Sequence, residues 1–151
     1  MTPQALEAYL HAHIPLSAAM QARVVRAGPE GVVLEAPLEP NRNHRSTAFG
    51  GSVSTLAILA GWTLVHVLLR HAGSDARTVI QRSGVYFHLP VTEHFQARAI
   101  PPSASEWSRF QEALERWQKG RLPVRVEIVC RGQVVGIMDG EYVSMTGPVP
   151  A

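Results

Sequence analysis

Asn43, His44, Thr47, Phe49, Gly50, Gly51, Ser52, Ser54 and Thr55 crowd amide, imidazole, hydroxyl and glycine groups into one short stretch. The nearly unbroken apolar run Val53–Leu69 follows directly. A helix apolar on every side is buried on every side. Its first turn, with N–H groups that have no intrahelical partner, then opens beside the core. Such a turn can hold a carbonyl oxygen or an anion. Gly50 and Gly51 allow a bound group to approach the backbone, and they equally suit a tight loop-to-helix turn packed on a strand. Asn43 is a turn former or cap by type. His44 suits proton transfer near neutral pH. Ser54 and Thr55 can bond a ligand or water, or bond back to a carbonyl one turn earlier.

The flanking elements must position this stretch. Thr2 as N-cap and Pro3 at the first helical position predict a helix over 3–13, ended by Pro15. Met20–Val25 and Gly31–Ala36 read as strands joined across Gly28-Pro29-Glu30-Gly31. The central helix spans 50–71 and stops at Gly73, a left-handed cap. Thr78–Leu89 and Phe95–Ile100 are strand-like, each closed by proline. Ser103 and Glu106 form a capping box for a helix over 104–119. Trp107, Phe110, Leu114 and Trp117 make its apolar side, and Gly120 ends it. Val124–Cys130 and Val134–Met145 form a hairpin around Gly132. Without βαβ repetition this is an α+β chain: an antiparallel sheet of about six strands, curled around one apolar helix. The expectation is one domain over 1–151, with a frayed tail from 147.

Composition narrows the function classes. The chain has 151 residues, 46% hydrophobic and 17% charged, and a formal charge of +2. One domain of this size buries roughly two-thirds of its unfolded surface. Scattered arginines without a basic run exclude a nucleic-acid surface. The single Cys130 forms no intramolecular disulfide and fits a reducing, cytoplasmic compartment. Met1–Leu10 lacks a basic leader pattern. Val53–Leu69 reaches the lower length limit of a membrane span, but Ser54, Thr55, Gly61, Thr63 and His66 favour a helix wrapped by its own domain. His11 and His13 do not have metal-ligand spacing, and there is no HExxH or CxxC.

With Asn43, Thr47-Ala48-Phe49-Gly50-Gly51-Ser52 and Gly61-Trp62 in place, roughly residues 5–146 resemble a hotdog-fold thioesterase. More narrowly, they resemble the putative thioesterase family found as the C-terminal domain of YiiD-type acetyltransferases. The resemblance implies a homodimer or dimer of dimers, with sheets joined edge to edge and acyl-thioester sites at the subunit interface. It implies acyl-CoA or acyl carrier protein conjugates as substrates, with coenzyme A or phosphopantetheine as part of the substrate and no metal. It also implies that Asn43 positions a carbonyl or a water, with the Gly51 N–H as oxyanion donor. Thr47, Phe49, Gly50, Ser52, Ser54 and Thr55 line the substrate. Tyr86–Val91 sits where such proteins have an aromatic strand ending in proline.

Two departures stand out. Relatives of the phenylacetate-pathway type have His at Phe49 and an acid at Ile58, and no acid lies between Glu39 and Asp75. A replacement base must come from elsewhere: His44, or Asp139 and Glu141 in the last strand, with Ser83 and Arg82 as further pocket candidates. Charges in strands also serve as edge protection. A non-catalytic acyl-thioester binding module is the competing expectation. His66 and Arg70 suit the helix C-terminus as cations, Trp62 and Cys130 suit the core, and Trp107 and Trp117 suit the seat of the last helix.

Overall fold

The computed structural model describes residues 1–148. Its elements are α1 (Pro3–His13), α2 (Pro15–Ala19), β1 (Arg23–Gly28), β2 (Gly31–Ala36), α3 (Gly50–His71), β3 (Arg77–Phe87), β4 (Phe95–Ile100), α4 (Ala104–Trp117), β5 (Lys119–Cys130) and β6 (Gln133–Met145). One antiparallel sheet runs in the order β1-β2-β4-β5-β6-β3. Helix α3 touches all six strands. Leu56, Ala57, Ala60, Leu64 and Val65 of α3 are buried against Val32, Leu34, Ala97, Val126, Met138 and Tyr142 of the sheet in one core. By length and composition α3 could cross a membrane, yet most of its apolar window is buried in this core.

Local chemistry sets most boundaries. The Thr2 hydroxyl accepts from the Ala5 N–H at 3.1 Å, and Ser103 and Glu106 form a reciprocal capping box. Arg131 (φ 53°) and Gly132 (φ 72°) turn the β5–β6 hairpin in left-handed conformations, as a two-residue loop matching strand twist requires. Pro123 lies within β5, but β4 pairs β5 only from Arg125 onward. Its missing N–H therefore costs no ladder bond on the β4 side.

Several expectations shift. Pro15 does not simply end the first helix; it starts α2 at a position where its lost N–H is free of cost. The first strand accordingly begins at Arg23 rather than Met20. Helix α4 stops at Trp117, where Gln118 takes the left-handed cap (φ 58°). Gly120 is instead a β5 residue under Phe110, and a Cβ there would meet the Phe110 ring at 2.9 Å. Trp117 does not seat the helix: it is 66% exposed, with the Arg116 guanidinium 5.3 Å from its ring centroid. Phe110 and Leu114 do the seating. Of the expected tail, Gly147 accepts from the Arg77 side chain at 3.0 Å, and residues 149–151 lie outside the described residues.

Helix α3 is not buried on every side. Ser54, Ile58 and Trp62, four residues apart, form a half-buried stripe. Trp62 is therefore at the margin of the core, and its indole N–H donates to the Thr78 carbonyl of β3 at 2.9 Å. The stripe thus lies along the side of the helix next to the sheet's last strand. That strand has no neighbour on its outer side among the described residues.

Candidate functional site

The loop before α3 is held by two asparagines. Asn41, 2% exposed, donates to the Met20 and Pro37 carbonyls at 2.9 and 2.8 Å. Its own carbonyl accepts from the Phe49 N–H at 2.7 Å. Two residues on, the Asn43 Oδ1 accepts from the N–H groups of Arg45 (2.8 Å) and Thr47 (3.2 Å). Its Nδ2 donates to the Thr47 hydroxyl at 2.8 Å, and its N–H donates to the Thr47 carbonyl at 2.7 Å. Asn43 thus spends both ends of its amide closing a turn. His44, Arg45 and Ser46 are exposed at the tip, with Ser46 at φ 62°. The Ala48 N–H donates to Val91, anchoring the loop's return to the segment after β3.

Phe49 then caps α3 in extended conformation without a side-chain bond. Its carbonyl accepts from Ser52 and Val53 at 2.9 and 3.1 Å. Among the described residues, the N–H groups of Gly50 and Gly51 have no such partner, as the first turn of a helix dictates. The Phe49 ring lies over Gly51, where a Cβ would collide with it. Phe87, at the end of β3, lies 3.6 Å from where a Gly50 Cβ would stand. A side chain at 51 would have to displace the exposed Phe49 ring, so glycine here suits the aromatic cover as well as a ligand.

Gly51, Ser52, Thr55 and Phe49 form one wall of a cleft of ≈ 290 Å³. Leu16, Ala19 and Met20 from α2 and its exit, with Pro40 and Asn41, form the other. The Thr55 hydroxyl donates back to the Gly51 carbonyl at 2.7 Å, orienting that turn. Donors, an apolar trough and a hydroxyl therefore meet at one point; no acid or histidine is in the wall.

The remaining candidates are elsewhere. Asp139 faces outward and forms a two-pronged pair with Arg125 at 2.9 and 3.1 Å; the guanidinium holds its carboxyl below the usual range. Met138, Gly140 and Tyr142 are the inward residues of β6, so period-two alternation sends Asp139 out. Glu141 lies 3.8 Å from Arg121. Ser83 is exposed on β3 opposite Gly140, and Arg82 stands opposite Glu141. Ser54 is half-buried on the stripe with Ile58. Burial, and then Arg70, lower the pKa of His66 and so oppose the cationic form expected at the helix end. Sequence reasoning missed Asn41, and it missed Leu16, Ala19 and Met20 as cleft wall. Pro15, placed as an N-terminal helical residue, was the available signal for α2.

The family model described as "Putative thioesterase (yiiD_Cterm)" matches residues 3–146. The fold is similar to that of a protein of unknown function from Chlorobaculum tepidum, with TM-score 0.90, 24% identity, and coverage of 96% of this chain and 94% of that one. A structure described as a putative thioesterase from Shewanella oneidensis gives 0.85 at 27%, covering 95% and 97%. A thioesterase from Haemophilus influenzae gives 0.76 at 12%, covering 97% and 92%.

Proposed function

The chain belongs to the putative thioesterase family of the YiiD C-terminal type, and from that premise we propose that it hydrolyses acyl thioesters carried on coenzyme A or an acyl carrier protein. The observation carrying this reading is the start of α3, where the N–H groups of Gly50 and Gly51 have no backbone partner among the described residues and Gly51 lines a cleft with an apolar wall. A thioester oxygen placed there gains negative charge as water adds to the carbon. Fixed N–H donors and the positive end of a 22-residue helix stabilise that charge. Leu16, Ala19 and Met20 receive the acyl group. Asn43 acts through the loop, holding Thr47 and the chain leading to Phe49. His44 at the exposed tip is the nearest imidazole in sequence to take the water's proton. Coenzyme A or phosphopantetheine enters as part of the substrate.

The reading includes a homodimer joined along β3. That strand's outer edge is unpaired among the described residues, and Val79, Tyr86, Phe87 and the adjoining Leu89 are exposed. An apolar free edge is a template for a second strand. Phe87 lies against Gly50, so a partner on this edge sits beside the first turn of α3.

A second reading, an acyl-thioester binding module without catalysis, is favoured by one feature: Ile58 stands where the resemblance to thioesterases of the phenylacetate-pathway type would put an acid, and the cleft wall contains none. A free-thiol release assay over acyl-CoA of graded chain length, repeated with the same acyl groups on a carrier protein, separates the two. Release for a subset of chains supports hydrolysis. Tight binding without release for any of them supports the module and ends the hydrolytic reading.

A further inference from the structure

The other end of α3 has a feature that the proposed reaction leaves unused. His66 is 9% exposed. Its ring is stacked against Trp62 (centroids 4.9 Å apart, planes at 14°) and Tyr9 (5.4 Å, 21°). His13 stacks on Tyr9 in turn, at 4.1 Å. Stacking occupies the faces of the imidazole and leaves its edge, where both nitrogens lie.

Among the described residues, no buried side-chain nitrogen or oxygen is both sealed from solvent and unpaired. His66 has no hydrogen-bond partner there, so its nitrogens reach open space. That space is a cavity of ≈ 380 Å³, which His66 lines together with Leu6, Ala27, Pro29, Val67 and Arg70. Its nitrogens are therefore free to meet a ligand in place of water. The volume lies within the roughly 300–1,000 Å³ of small-molecule pockets.

The lining says what would fit. Leu6, Ala27, Pro29 and Val67 ask for a hydrocarbon body. Arg70 is one turn beyond His66 on the same helix face, and His71 stands next to it at the exposed rim. Arg70 gives one N–H to the Ser74 carbonyl at 2.6 Å and keeps its other donors. Gly28 also lines the cavity, and the Glu30 carboxylate stands over it on the far side from α3, leaving Arg70 and His71 as the charged and basic groups on the helix side. Beside His66 the formal charge is that of Arg70, which suits a single anionic head, and a polyanion would find apolar walls.

We propose that this cavity is a second ligand site taking a compact apolar monocarboxylate, with the His66 N–H and the Arg70 guanidinium both addressing the carboxylate. The site is distinct from the cleft at Gly51 and does not rest on the hydrolytic reading. Hexanoate is a suitable probe, with 1-hexanol as its uncharged match.

Amide NMR spectra of the full chain titrated with hexanoate should show saturable changes at Ala27, Val67, Arg70 and His71. Binding should weaken about tenfold or more for 1-hexanol, for Arg70→Gln and for His66→Phe, as loss of a hydrogen bond to a charged group predicts. Arg70 is exposed, so its variant reports on binding even if His66→Phe, which retains a stacking ring, folds poorly. Hexanol binding as tightly as hexanoate would overturn the proposal. So would unchanged affinity in Arg70→Gln, changes confined to residues 49–55, or no saturable change up to the solubility limit.

Discussion

The phenol of Tyr142 donates to the backbone carbonyl of Ile58 at 2.6 Å, reaching from β6 into the middle of α3 through space that only a glycine at 61 leaves open. Burial pushes that phenol's pKa upward, with the Trp62 backbone bond opposing it, so it stays a neutral donor. The bond pins the central helix to the sheet at the level of the half-buried stripe. Gly61→Ala should destabilise the fold by about 1–3 kcal/mol, because the new methyl group must displace a fully buried ring. Tyr142→Phe should cost about 0.5–1.5 kcal/mol, the worth of a neutral hydrogen bond. Urea unfolding midpoints of the two variants would check both values and their order.

Proline offers a direct way to delete single N–H groups in the first turn of α3. At Gly50 it occupies the first helical position, after an extended Phe49, where proline is well tolerated. Gly51→Pro should lower kcat by about 10²–10³, the range for loss of one oxyanion donor, beyond any effect of Gly51→Ala, which sets the same Cβ against Phe49 but keeps the N–H; Gly50→Pro should lower it far less. Loss in Gly50→Pro alone would move the donor one residue back. Full activity in both would remove the helix N-terminus from the chemistry. Circular dichroism would verify that each variant folds.

Asn43 is predicted to act on the loop and not on the substrate. Asn43→Ala removes the acceptor for two N–H groups and the donor to Thr47. It should raise protease sensitivity of residues 42–48 and lower kcat together. Asn43→Asp, which keeps the acceptor, should recover most of both. Recovered rigidity with activity still absent would point to direct substrate contact instead.

A lysine on the free edge tests the dimer. Val79→Lys or Tyr86→Lys places charge on an apolar strand edge, which disfavours pairing. Light scattering should show a monomer for each variant and a dimer for the native chain, with thiol release falling alongside. A native chain that is monomeric at all concentrations would refute the shared-edge arrangement.

The pH dependence of stability should carry a His66 contribution. Its folded pKa lies below its ordinary 6.5, owing to burial and then to Arg70. The unfolded chain therefore takes up its proton first as pH falls. The stability associated with neutral His66 is complete above about pH 6.5 and is lost as pH drops from there through the lower folded value. The groups around it are Arg70 on its own helix, His71 at the cavity rim, and His13 behind Tyr9 on α1. Urea midpoints between pH 7.5 and 5 should fall less steeply in His66→Phe than in the native chain; equal slopes would contradict this assignment.

The long-period patterns were readable in the residues and the side-chain partnerships were not. Apolar continuity from Val53 to Leu69, ended by Gly73, is enough to place α3, because a helix stop and a run of apolar residues are both written in the local sequence. Alternation through Val124–Cys130 placed the last hairpin for the same reason. The inward phase of β6 is not written in its own residues: Asp139 and Glu141 flank Gly140 between Met138 and Tyr142, and the burial of Tyr142 depends on Ile58, 84 positions away. Asn43 was legible as a loop residue, but whether its amide faced inward or outward depended on Thr47 and Arg45 settling into one turn. The cleft wall from α2 was invisible for a different reason: Pro15 both stops one helix and starts another, and composition does not separate those roles.

Helix α3 presents the Gly51 cleft near its first turn and the His66 cavity near its last. At 1.5 Å of rise per residue the two are about 22 Å apart along one stiff rod. Tyr142 fastens that rod to β6 between them, so a displacement at one end meets the sheet before it reaches the other, and the two sites share one mechanical element without sharing a wall.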